Sequence, residues 1–107
     1  MKEVIIPTSK SYKEYLISSL QDVEEAAAYL ETFLQLDEEG REPEVLRSAL
    51  KNIIDARLAG NNLSQAAKQK YQQLEQILST SSGDEIYTLI EFLDALGYRI
   101  KLEVKDS

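Results

Sequence analysis

Five glutamines and two lysines fall within twelve residues: Gln65, Lys68, Gln69, Lys70, Gln72, Gln73 and Gln76. A Gln amide can make a two-point contact with an adenine edge, and a Lys ammonium can reach a phosphate or a guanine. These residue types at this density suit nucleic-acid recognition. The competing reading is an ordinary solvated helix surface, because Gln and Lys are both good helix formers. Two lysines fall short of the roughly six to ten phosphate contacts of a tight binder. A dimer doubles them, and Arg99 and Lys101 add to the footprint if they lie nearby. DNA binding through this segment is therefore expected to be modest and strongly salt-sensitive.

The rest of the composition narrows the chemistry. The chain of 107 residues has no Cys and no His, which removes thiolate nucleophiles, a Ser-His-Asp relay and the commonest transition-metal ligand. Composition thus disfavours an enzyme, and no cofactor is expected. The acidic run Leu36-Asp37-Glu38-Glu39-Gly40-Arg41-Glu42 lacks the alternating Asp register and terminal Glu of a calcium loop, so it is read as a solvated loop and no metal is expected. The formal net charge is −7, and a uniformly acidic surface repels phosphate backbones and membranes. By region, residues 1–63 carry −5, residues 80–107 carry −3, and residues 64–79 carry +1. The Gln/Lys segment is the one stretch that is not acidic.

Positioning that segment falls to helices. Two Pro and four Gly in the whole chain leave little room for the tight turns of an all-β fold. Tyr12, Tyr15, Leu16 and Leu20 recur at helical spacing, giving a first helix from about residue 10 to 20. Asp22 and Glu25 have the spacing of a capping box ahead of Val23, Ala26, Ala27, Leu30, Phe33 and Leu34. Pro43 suits the first turn of a third helix whose buried face is Val45, Leu46, Ala49, Leu50, Ile53 and Ile54. Gly60 is its expected C′ residue. Ser64 can cap a fourth helix, along which Ala67, Tyr71, Leu74, Ile77 and Leu78 keep one face. Ser82 or Asp84 opens a fifth, carrying Ile86, Leu89, Ile90, Leu93 and Leu96, and Gly97 ends it.

Residues 98–104 alternate apolar and charged, which predicts a half-buried strand with Tyr98, Ile100, Leu102 and Val104 inward. Such a strand needs a partner, either Val4-Ile5-Ile6 or the same strand of a second subunit. The latter makes those four residues the expected homodimer interface. Tyr12, Tyr15, Tyr29, Tyr71, Tyr87 and Tyr98 mostly lie on apolar faces and read as core or interface groups. The longest uninterrupted apolar run, residues 26–30, cannot span a bilayer, and Met1 to Pro7 holds no signal-peptide core. No membrane partner and a cytoplasmic location are expected.

Four stretches in order resemble one family. They are Tyr15-Leu16 followed by Asp22-Val23-Glu24-Glu25-Ala26-Ala27-Ala28-Tyr29-Leu30; the helix beginning Pro43-Glu44-Val45-Leu46 and ending Ala56-Arg57; Leu63-Ser64-Gln65-Ala66-Ala67-Lys68; and Leu93-Asp94-Ala95-Leu96-Gly97-Tyr98-Arg99-Ile100. Over about residues 10–104 the chain is similar to the addiction-module antidotes, small bacterial antitoxins related to HigA with a lambda-repressor-like helix-turn-helix. The resemblance implies a dimer that binds the operator of its own operon and neutralises a cognate small toxin protein.

The sequence departs from that pattern after Lys68, where the segment is about three residues shorter and lacks the Gly and Ser of the family's turn. A helix-turn-helix needs the turn to aim its second helix into the major groove. Two outcomes stand: an unusual turn near Lys70, or a degenerate motif in which both helices have fused. The absence of Gly, Pro, Asn and Asp between Gln65 and Ser79 favours one helix. The expected architecture is a single, mainly α, five-helix lambda-repressor-like domain over residues 1–107. It divides into an N-terminal arm (1–9), N-terminal helices (10–60), a helix-turn-helix-like region (61–97) and a C-terminal β-strand (98–104).

If the turn is lost, the scaffold can still serve as an interaction protein that binds a basic partner such as a toxin.

Overall fold

A computed structural model describes residues 9–36 and 39–105. The described chain is mainly helical: α1 (Ser9–Ser19), α2 (Val23–Phe33), α3 (Pro43–Ala59), α4 (Gln65–Thr80) and α5 (Asp84–Ala95). Residues 1–8 of the expected N-terminal arm, Val4-Ile5-Ile6 among them, and the acids Asp37 and Glu38 lie outside the described residues, while Ser9, expected as the arm's last residue, already belongs to α1.

Local chemistry sets the helix ends. Asp22 caps α2, its Oδ1 accepting from the N–H of Glu24 at 2.8 Å and of Glu25 at 3.1 Å. Pro43 opens α3. That helix does not end as expected: Gly60 is the cap residue at φ −88°, and Asn61 takes the left-handed conformation at φ 56°. The N–H of Asn62 bonds Arg57 O at 2.8 Å and that of Asn61 bonds Leu58 O at 3.0 Å, a Schellman closure with Asn at C′. Asn tolerates that region better than most residues. Gly97 closes α5 in the same way at φ 91°, with Tyr98 N–H on Leu93 O and Gly97 N–H on Asp94 O, both 2.9 Å.

α3 is the central element and packs against α1, α2 and α4. Its buried residues Leu46, Ala49, Asn52 and Ala56 line one face. At one end Ala56 joins Leu20 and Ala26, with Leu16, Ile17, Tyr29 and Ile53 around them. At the other, Leu46 meets Leu78 of α4 and Tyr87 and Ile90 of α5, enclosed by Phe33, Leu34, Leu50, Ile86 and Ile100. Ion pairs fasten the periphery: Arg41 holds Glu91 (Nε–Oε2 2.7 Å) and Asp84 (Nη1–Oδ1 2.8 Å), and its guanidinium lies 5.7 Å from the Tyr87 ring centre.

Three expectations about faces are corrected. Tyr12 and Tyr15 are exposed, because α1 meets the core only through the narrower stripe of Leu16, Ile17 and Leu20. Val45 is also exposed, at the edge of the α3 face.

The third correction concerns residues 98–104, which form no strand. Their alternation survives, with Ile100, Leu102 and Val104 half-buried and Arg99, Lys101 and Glu103 exposed, but Tyr98 points outward. Side chains of α2 bond this segment's backbone: Gln35, just past the helix, donates from Nε2 to Ile100 O at 2.6 Å, and Glu31 Oε1 accepts from Leu102 N–H at 2.8 Å. Ile100 C=O and Leu102 N–H point to the same edge of an extended chain, so α2 supplies to that edge what a neighbouring strand would. Among the described residues no helix is long and apolar enough to cross a membrane.

Candidate nucleic-acid interface

Residues 65–80 form one unbroken helix with no internal turn, as the local residue types favour. Ser64 caps it, Oγ accepting from Ala67 N–H at 3.1 Å. Gln65, Lys68, Gln69, Lys70, Gln72, Gln73 and Gln76 are all exposed. Gln65, Gln69, Gln72 and Gln76, spaced four, three and four apart, make one stripe opposite the packed side. Lys68 and Gln73 flank it. Lys70 lies farther round, its Nζ 3.4 Å from Gln73 Oε1. The structure therefore brings six of the seven residues onto one broad face and sets Lys70 at its edge.

The packed side carries Leu78, buried, with Tyr71, Leu74 and Ile77 half-buried. Burial pushes the Tyr71 phenol above its ordinary pKa, with Glu75 adding to the shift, so it stays a neutral group. Glu75, the lone acid of the segment, turns to the α3 side. Arg47 grips it with Nε to Oε1 at 2.9 Å and Nη2 to Oε2 at 3.3 Å. These bonds raise the Arg47 pKa further. Lys68 and Lys70 stand on opposite flanks of the Gln stripe, and neither pairs with a carboxylate among the described residues. A helix of about 24 Å with such a face has the diameter and chemistry to lie in a major groove.

The remaining predicted residues are placed elsewhere. Arg99 lines a recess beside Glu31, Thr32 and Gln35 of the α2 end, and Lys101 is exposed on the same tail. Of the expected dimer residues, Ile100 packs on the core of its own chain. Leu102 and Val104 line a groove with Val23, Ala26 and Leu30 of α2 and Ile53 of α3. Tyr98 alone of the four is fully outward, at 64% exposure.

Sequence periodicity also misplaces α5, whose Leu89 and Leu96 are exposed together with Phe92. The helix carries two apolar stripes. The seven-residue spacing of Leu89 and Leu96, with Phe92 between, is the signal of the second. Among the described residues no group of three or more acids is placed to hold a metal ion. No family model, curated protein or solved structure matches the chain.

Proposed function

We propose that this chain is an antitoxin-like, DNA-binding regulator of a toxin–antitoxin operon. It would act in the cytoplasm as a homodimer and hold a small basic toxin by charge complementarity. The observation that carries the DNA reading is the outward face of α4. Its Gln65/Gln69/Gln72/Gln76 stripe carries no carboxylate, and Glu75, seven residues from Lys68 on the same flank, is neutralised by Arg47. The ordered stretches resembling the antidotes support the operon context. The test is a gel-shift titration against the DNA upstream of the protein's own gene. Retardation at low salt that disappears in the Lys68→Ala/Lys70→Ala variant is expected. Absence of retardation would sink direct DNA binding.

A specific observation favours a second reading. α4 has no turn, so no separate recognition helix is aimed by a preceding one. On that reading the scaffold is an interaction protein that has lost operator recognition and retains a basic protein partner. Co-purification with the product of an adjacent small basic gene, from a protein that shifts no DNA, is its expected signature.

A further inference from the structure

The tail after α5 is bonded along one backbone edge and open along the other. Ile100 O and Leu102 N–H are taken by Gln35 and Glu31. The N–H and C=O groups of Lys101 and Glu103 point to the opposite edge of the extended chain, and none has a partner among the described residues. That open edge meets the groove between α2 and α3. Residues 102, 103, 104 and 105 all line the groove. Side chains that alternate cannot all face one groove, so the backbone itself forms this wall.

The floor and the far wall suit side chains. Val23, Ala27 and Leu30 of α2 and Ile53 of α3 leave apolar surface open around a volume of about 490 Å³, within the roughly 300–1,000 Å³ of sites that seat ligands. Arg57 stands in the far wall. It is one of three half-buried basic residues among those described. Lys13 holds Asp55 and Arg47 holds Glu75, whereas Arg57 has no side-chain partner among the described residues.

We propose that this groove takes an extended segment of a partner protein, paired strand to strand with residues 101–105. Every second side chain of the segment is apolar, and one carboxylate faces Arg57. The open edge supplies main-chain bonds, and the groove receives the alternate side chains. A guanidinium set in an apolar wall favours a carboxylate as its mate.

Seating and charge argue against the tail of a second copy as the occupant. Its Ile100, Leu102 and Val104 are seated on their own chain. That leaves Arg99, Lys101 and Glu103 to enter the groove, two of them cations facing Arg57. A small apolar acid would use the groove and Arg57 but none of the backbone edge. The proposal concerns α2, α3 and the tail, and its test uses no DNA.

The test uses the full chain and blocked, fluorescently labelled hexapeptides that alternate Thr with Val, Ile or Leu. Each carries Glu, Gln or Lys in place of the apolar residue nearest one end or the other. Anisotropy titration should show saturable binding, with the best Glu peptide about tenfold or more tighter than its Lys counterpart. Arg57→Gln should reduce that ratio below about twofold. In hydrogen exchange of the wild type, the amides of Lys101 and Glu103 should exchange faster than that of Leu102 in the free chain. Saturating Glu peptide should slow them about tenfold or more and leave Leu102 unchanged. No saturable binding by any peptide up to about 1 mM would overturn the proposal. So would a Glu preference that Arg57→Gln leaves intact. Protection of the Lys101 and Glu103 amides in the free chain would do the same, because residues 1–8 or a second copy would then already pair with the edge. If Arg57→Gln fails to fold, the wild-type exchange pattern decides alone.

Discussion

Asn52 is a buried amide in the middle of α3, and its Nδ2 donates to Tyr29 Oη at 3.0 Å. A buried donor left without its acceptor loses its desolvation cost uncompensated, so Tyr29→Phe should destabilise by about 1–2 kcal/mol in urea unfolding. Adding Asn52→Leu to Tyr29→Phe should recover part of that loss, since both polar partners are then gone. A second residue-scale prediction concerns acid. The Arg41 guanidinium, bonded in two places, holds the Glu91 carboxyl below its ordinary value of 4.5, while burial and Asp84 oppose the shift. A depressed folded-state pKa contributes stability that is present above the unfolded value and lost as pH falls through the folded one. Unfolding midpoints should therefore drop below about pH 4.5, and more shallowly in Glu91→Gln than in the wild type. Neither contact is visible from local sequence, because Tyr29 and Asn52 lie on different helices and Arg41 reaches across the fold.

Among the elements, the parts set by neighbouring residues were legible and the parts set by distant ones were not. Asp22, Pro43, Ser64 and Gly97 mark helix ends through bonds within a few residues, and the unbroken α4 follows from a stretch without Gly, Pro, Asn or Asp. The alternation at residues 98–104 is the same for a ladder strand and for an extended segment seated on a helix. The choice rests with Gln35 and Glu31, which lie 65 and 71 residues from their partners Ile100 and Leu102. Glu31→Ala/Gln35→Ala should release the tail, seen as faster amide exchange at residues 100–104 with the helices unchanged. The α4–α5 corner gives a sharper test. Gly83 has φ 72°, and a Cβ there would come within 2.6 Å of Leu78 Cδ2 in the core. Gly83→Ala should cost about 2–3 kcal/mol through strain and overpacking together.

For the molecule as a whole, net charge misleads and its distribution informs. The −7 chain repels phosphate on average, yet α4 turns a Gln stripe flanked by Lys68 and Lys70 outward and α5 turns an apolar one. The Gln/Lys face was legible because its residue types and helical spacing sit in one short segment. The exposed α5 stripe was not, since a wide apolar arc reads as core until packing shows which side α3 and α4 cover. With Lys68 and Lys70 as the phosphate contacts, log affinity should fall against log salt with a slope of about −2 per chain, doubling in a dimer. The central claim is tested most directly by titrating the DNA upstream of the gene with wild-type protein and with Lys68→Ala/Lys70→Ala at low salt. Retardation by the wild type, lost in the double variant and in raised salt, is the predicted result; no retardation, or retardation unchanged by the double variant, contradicts it.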